Sequence, residues 1–421
     1  MIFIHELGHH LMAKYLGIRV DVFSLGFGPR LFGFRMGETD YRVSLLPLGG
    51  FVKMRGENYD EDLSGNEEEF LSRPKSHRFA VAIAGPAMNI FLAIVLIAVN
   101  YMIGIQVPAH LSQPAVVGYI VSDSPAAEAG IEIGDRVQTV DEVVTPTWEA
   151  VQIAIATNPG RTIPVTIERG GTTFERLVTV KEDDRTGAGD IGILPPVFST
   201  ITSVVPGPAE EAGLKPGDII VKARKGDIVL EDLPQILDLI ASSQGEPVDF
   251  TLQRQDETFE ASITPVDIEG KARLGISIAQ LTSGETTTEH YGLFAAIAKA
   301  TERNVQLTGL TFRIIGKLLT GETSIKMMSG PIEIAKFSGQ AASAGFQTLV
   351  AFMALISLQL GIFNLMPIPI LDGGVIALLG IEALMGRDLS LQVKERIFQV
   401  GFIFLILLMS IVIFNDISKN I

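Results

Sequence analysis

His5-Glu6-Leu7-Gly8-His9 lies four residues into the chain. Near the other end, Asn364-Leu365-Met366-Pro367-Ile368-Pro369-Ile370-Leu371-Asp372-Gly373-Gly374 closes an uncharged run over residues 337–371. Around the first stretch, Ile4, Leu7, Leu11 and Leu16 recur at helical spacing, so residues 1–16 read as a helix. Histidines four apart share one helical face and can grip one metal ion, zinc in the usual form of this pattern. Glu6 adjoins that face, where it can take a proton from water. The plain alternative is a helix with two surface histidines. Against it, these residues sit in an apolar segment, where ionisable groups are costly and usually functional. A catalytic zinc usually takes three protein ligands, so one is missing. Asp372 is the candidate, being the first charge after the uncharged run. The other role open to it is the N-cap of a helix from Val375 onward. Pro367 and Pro369 break the preceding helix, and non-helical backbone at membrane depth is expected where it lines a cavity or is buried in protein. Asn364 is either a packed polar residue or a donor aimed at substrate.

Away from these stretches, composition sets the environment. The chain of 421 residues is 47% hydrophobic with a mean hydropathy of +0.35. No charge occurs over residues 79–122, 337–371 or 397–414. Each run holds the roughly 20 apolar residues that cross a bilayer as a helix. The net charge of −15 is uneven: residues 106–290 carry 13 Lys/Arg against 29 Asp/Glu, and the remainder 20 against 19. An acidic soluble block is therefore set between membrane segments, and its acidity argues against nucleic acid as a partner. With no cysteine, disulfides, thiol nucleophiles and cysteine-based zinc sites are excluded.

Residues 1–16 span about 24 Å as a helix, at roughly 1.5 Å per residue. That is short of a hydrocarbon core about 30 Å thick, so the segment reads as the remnant of a first transmembrane helix that lacks its N-terminal half. The 421-residue form is expected to insert poorly unless upstream residues are restored. Residues 17–78 hold glycine-punctuated β-like runs, 79–105 a second membrane helix, 291–344 amphipathic helices, 345–379 a third membrane helix and 397–415 a fourth. The amphipathic stretch either lies along the membrane surface or packs as a connector. Nine Lys/Arg in residues 17–78 and three in 380–396 place both loops on the cytoplasmic side, and the acidic block on the opposite one. Within that block Ser124-Pro-Ala-Ala-Glu-Ala-Gly-Ile-Glu-Ile-Gly-Asp135 matches Gly207-Pro-Ala-Glu-Glu-Ala-Gly-Leu-Lys-Pro-Gly-Asp218, 83 residues on. Ile191-Gly192-Ile193 matches Leu274-Gly275-Ile276 at the same offset. Two anchors in one register mean two copies of one small α+β domain, placed at 114–190 and 191–280.

Taken in order, the motifs resemble those of the site-2 protease family, peptidase family M50. They are His5–His9; Ser24-Leu-Gly-Phe-Gly-Pro29; Pro47-Leu-Gly-Gly-Phe-Val-Lys-Met54; Ala84-Gly-Pro-Ala-Met-Asn89; Ser329-Gly-Pro-Ile-Glu-Ile-Ala335; and Asn364–Gly374. The resemblance implies one Zn²⁺ held by His5, His9 and Asp372, Glu6 as general base, and Asn364 holding substrate or the developing oxyanion. It implies a multi-pass α-helical membrane protein of about four spans, a membrane-associated β-hairpin whose edge can pair with an extended substrate, and two inserted PDZ domains. In that family the substrates are single-span membrane proteins trimmed by another protease, such as an anti-sigma factor, together with remnant signal peptides. The setting it implies is the bacterial inner membrane, among lipid, with the PDZ domains on the periplasmic side.

PDZ domains capture chain ends by strand addition. That makes Ile191, Gly192, Ile193, Leu274, Gly275 and Ile276 candidate peptide-binding residues. The opposing reading has the pair bind nothing and act as a size filter over the active site, which an acidic block suits better than attraction of a carboxylate. Two readings compete with the protease: a non-catalytic membrane scaffold presenting PDZ domains, and a metal transporter. Glu6 speaks against the scaffold, which has no need of a base beside paired histidines. The transporter would need several intramembrane acids along a path.

Overall fold

In a computed structural model, residues 1–57, 64–183, 186–226, 228–230, 233–254, 257–268, 271–282 and 286–420 are described. Three of the described helices are long and apolar enough to cross a membrane: Lys75–Ile103, Phe346–Asn364 and Leu391–Lys419. The chain divides into two units. One is Met1–Ile105 with Glu289–Thr320 and Ile325–Ile421; the other is Gln106–Thr288 with Gly321–Ser324.

The first unit begins with α1 (Ile2–Tyr15), followed by β1 (Val20–Met36) and β2 (Thr39–Met54). These two strands do more than form the expected hairpin. Residues 30–36 pair with 39–44 around the turn, while Val22–Leu25 has partners on both sides: Asp40–Val43 on one and Gly50–Lys53 on the other. The chain thus folds into four short strand segments, bent by repeated register shifts. Positive φ values at Gly26 and Gly28 fall at the bend, where side-chain-bearing residues would be strained. Residues 50–54 pair with residues 20–25 and with no other strand among the described residues.

Helix α2 (Lys75–Ile103) starts four residues before the expected bound of 79. Lys75, His77 and Arg78 end the apolar run without ending the helix. Ala13, Phe23, Val52, Phe70 and Val81 form one buried cluster that joins α1, the sheet and α2. Glu69 fastens the loop beneath it, accepting bonds from the Ser64 and Gly65 N–H groups and from the Ser64 and Ser72 hydroxyls. The Ser64 hydroxyl is the chief cause that holds the Glu69 carboxyl at about 2.

After the second unit the chain returns as α3 (Leu293–Thr320) and α4 (Pro331–Ser343). Ala296 and Ala300 of α3 pack on Ala98 of α2, so one face is a packed connector. Phe294, Val305 and Leu319 on α3 remain exposed. Residues 345–379, bounded as the third membrane helix with a break expected at its prolines, form α5 (Phe346–Asn364) and α6 (Asp372–Met385). Pro367 and Pro369, which have no N–H to give, occupy the break. Helix α7 (Leu391–Asn420) outlasts its expected bounds of 397–415 at both ends.

The second unit holds two copies of one sheet-and-helix arrangement. In the first, strands Val143–Val144, Arg136–Val140, Thr162–Arg169 and Thr172–Thr179 lie in that order, with helix Trp148–Ala156 against them. In the second the corresponding strands are Ile228–Leu230, Ile219–Lys225, Val248–Arg254 and Glu257–Ile263, and the helix is Leu233–Ser242. Trp148, Ile163 and Ile167 centre one core; Ile236, Phe250 and Leu252 centre the other. Each copy repeats a strut as well. Arg169 grips buried Asp135 through both carboxylate oxygens, and Arg254 grips Asp218 in the same way. Burial pushes both carboxyls up, but the arginine and a backbone N–H outweigh it and hold them below the ordinary range.

The expected boundary at residue 191 is corrected. Ile191 and Ile193 belong to the first core, and Ile193–Leu194 pairs with Tyr119–Ile120, so the first copy runs through Leu194. Ile191 closes the first copy just as Leu274, its partner in the repeat, closes the second.

Candidate active site

Helix α1 carries His5 and His9 on the face it turns toward α2. Gly8 is what lets the two helices meet, since a methyl there would overlap the Ala84 carbonyl. Gly85 makes room for the ring of His9 in the same way. His9 Nδ1 lies 2.8 Å from the Val81 carbonyl oxygen. Only a protonated Nδ1 can donate to that carbonyl, which leaves the lone pair of His9 on Nε2. The His5 and His9 rings meet edge to face, 4.8 Å between centroids.

Asp372 reaches this pair from the other end of the chain. It is the first residue of α6, and Leu371 occupies the N-cap position without a side-chain bond. Its carboxylate therefore does not serve as the cap that the sequence allowed. Instead Oδ2 lies 3.2 Å from His5 Nε2 and Oδ1 3.4 Å from His9 Nε2. The two Nε2 atoms are 3.3 Å apart. These three residues form the one potential metal-holding cluster among the described residues. A tetrahedral zinc site with bonds of about 2.0–2.1 Å has edges of roughly 3.3–3.4 Å. All three separations fall within 0.1 Å of that range, so the residues present fit zinc.

The backbone just before Asp372 is strained. Ile370 adopts φ +87°, a region that a β-branched residue rarely enters. Such strain persists where the surroundings over-determine it, often at working sites. Gly373 and Gly374 approach the carbonyls of Leu365, Met366 and Ile368 too closely for any side chain, which explains the two glycines after the aspartate.

A cavity of about 320 Å³ opens on the cluster, and its lining includes Glu6, residues 50–52, Asn364, Ile370 and Val375. Glu6 packs against Gly50, where a Cβ would stand 3.2 Å from Glu6 Cγ and 2.9 Å from the Ser24 carbonyl oxygen. Asn364, the last residue of α5, lines the same cavity. The structure thus brings together all five residues that the sequence singled out at its two ends.

The six repeat residues lie differently. The side chains of Ile191, Ile193 and Leu274 are buried in the two cores, and the Gly192 N–H already donates to Asp190. Gly192 and Gly275 share one left-handed conformation, φ +78° and +79°, and Ile276 opens the strand Ile276–Thr282 at the edge of the second sheet.

Sequence reading missed Val81, Asn89 and Ile370. Val81 acts through its carbonyl, which leaves no trace in side-chain chemistry. Asn89 lay within a quoted motif, and a polar residue in an apolar helix was its signal. Nothing in the sequence could mark Ile370, because isoleucine is the wrong residue for its φ.

The family model of Peptidase family M50 matches residues 1–408. The regulator of sigma E protease of Haemophilus influenzae is 34% identical over 99% of this chain and 96% of its own. The regulator of sigma-E protease RseP of Escherichia coli is 33% identical over 100% and 96%, and a putative zinc metalloprotease of Vibrio cholerae is 32% identical over the same shares. Among solved structures, the PDZ domain of an SdrC-like protein from Listeria monocytogenes covers 21% of this chain and 90% of its own. At 20% identity and a TM-score of 0.18 it carries no argument. With the chain matched over its length by these relatives, it belongs to peptidase family M50, the site-2 proteases, and is a membrane-embedded zinc metalloprotease.

Proposed function

We propose that His5, His9 and Asp372 hold the zinc, that Glu6 is the general base, and that Asn364 binds the substrate carbonyl. The observation that carries this reading is the trio of separations, 3.2, 3.3 and 3.4 Å, between the three ligand groups. When bound, zinc polarises water and the scissile carbonyl. Glu6 takes the proton that this water gives up and delivers it to the leaving amide nitrogen. Asn364 donates to the oxygen on which charge develops. Ile370 and the glycine pair keep Asp372 facing the histidines throughout.

The substrate is a single-span membrane protein, presented as an extended strand. A helical substrate hides its peptide groups, so it must unwind to be cut. Beyond their pairing with residues 20–25, residues 50–54 meet no other strand among the described residues and lie beside the cavity, and strand addition uses such edges. The names of the relatives point to regulated proteolysis that controls a sigma factor, with an anti-sigma factor trimmed by a first protease as the target and remnant signal peptides as secondary ones. The chain sits in the inner membrane with α1 as one of four spans. The exposed Phe27, Leu31, Phe32, Phe34 and Met36 of the sheet contact lipid. The two copies in the second unit are PDZ domains on the periplasmic side. The competing scaffold reading has no use for a zinc-spaced cluster beside an acid.

The test measures bound zinc and cleavage of a membrane-embedded substrate in wild type and Glu6→Gln. Zinc retained with cleavage lowered at least about 10²-fold is expected. Unchanged cleavage would remove Glu6 from its role, and zinc retained in Asp372→Ala at wild-type affinity would remove the third ligand.

A further inference from the structure

Asn89 is fully buried in α2, in a membrane helix where an amide is an expensive residue to keep. As placed, the amide nitrogen Nδ2 lies 3.4 Å from His5 Nδ1, and the oxygen Oδ1 has no partner among the described residues. Helix α5 closes over it. The Ser357 hydroxyl donates to the Asn89 backbone carbonyl at 2.9 Å, and a Cβ on Gly361 would stand 3.4 Å from Asn89 Cβ.

Oxygen and nitrogen of an amide are alike in shape, so their assignment follows from chemistry. The far end is unpaired in either orientation, so His5 alone decides. His5 Nε2 faces Asp372 and His9 at 3.2 and 3.3 Å. If that nitrogen gives its lone pair to zinc, the ring proton sits on Nδ1 and needs an acceptor. His9 already meets the same requirement through the Val81 carbonyl. We propose that Asn89 is the positioning residue of His5, its amide oxygen accepting the Nδ1 proton and fixing both tautomer and ring orientation; this rests on His5 being a zinc ligand. Helix α2 then holds both imidazoles, one through its backbone and one through a side chain. The unpaired half of the amide explains why a residue kept for packing alone would not be asparagine.

The full chain, purified in detergent, tests this by chelator competition for zinc and by thermal unfolding of the zinc-free protein. Asn89→Leu removes the acceptor at constant size. Its zinc affinity is expected to fall about 10- to 100-fold, while the zinc-free protein unfolds at the wild-type temperature or above it. Asn89→Asp keeps an acceptor and no donor, and is expected to bind zinc within a few-fold of wild type, whatever Asn89→Leu does to folding. Wild-type zinc affinity in Asn89→Leu would overturn the proposal, as would an Asn89→Asp loss equal to that of Asn89→Leu. His5→Ala separates the two levels: if it binds zinc as wild type does, the ligand assignment itself fails and this inference falls with it.

Discussion

A methyl group on Gly85 would overlap the imidazole of His9, so this glycine shapes the site as surely as the residues that face it. Gly85→Ala is expected to lower cleavage about 10²-fold, the scale of a misplacement near 1 Å, and to lower zinc occupancy with it. Metal analysis of the purified variant checks this. At Gly50 a Cβ would crowd the Glu6 side chain instead, so Gly50→Ala should reduce cleavage while leaving zinc bound. The histidine pair was legible because helical spacing and an apolar setting are both written in the sequence. Asp372 was legible as the charge that ends an uncharged run, although only the structure showed that it is not the helix cap and lies beside the histidines. Glu69 belongs to this scale too. Its carboxyl, at about 2 in the folded chain against 4.5 ordinarily, stabilises the fold fully above pH 4.5. That contribution is lost as the pH falls through about 2. Resistance to proteolysis of wild type over Glu69→Gln is therefore expected to be largest at neutral pH and to vanish at the acid end.

Among the elements, the sheet at residues 20–54 departs furthest from its sequence. Glycine-punctuated runs read as strands and the family resemblance implied a hairpin, yet pairing of residues 22–25 on both sides depends on register shifts, and a bulge has no reliable side-chain signature. The three long apolar helices overlap the runs read as membrane helices but end elsewhere, because hydropathy follows the bilayer while hydrogen bonding follows the helix. Lys75 and Arg78 lie inside α2 for that reason. The repeat was the most legible feature, since two anchors shared one offset; its boundary was misplaced because the closing strand of one copy was given to the next. Phe250 is 1% exposed in the second core, so Phe250→Ala should cost about 3–5 kcal/mol. Limited proteolysis should then cut residues 197–282 before residues 115–194. A second contact of this rank joins α6 to α7. Glu382 and Lys394, nearly unexposed, meet at 2.7 Å, and Glu382 also accepts from the Leu389 N–H. Lys394→Met alone strands a buried charge and should cost about 3–5 kcal/mol, whereas adding Glu382→Leu should recover most of it.

For the molecule as a whole, charge was the legible quantity. The block with 29 acids against 13 bases coincides with the unit Gln106–Thr288. If that unit screens substrates by size, a substrate with a short ectodomain should be cut faster than a bulky one, and deleting residues 114–280 should abolish the difference. Equal rates before the deletion would leave the unit without that role. The proposed ligands also have an order in time. His5 and Asp372 are 367 residues apart in the chain. At roughly 5–20 residues per second, the ribosome needs about 20–70 s to pass from one to the other. Throughout that interval the histidine helix can be in the membrane among other nascent chains without its third ligand. Only when α6 follows α5 into place does the set close. On that assignment, a protease that cuts within the bilayer would be inert until Asp372 joined the histidines.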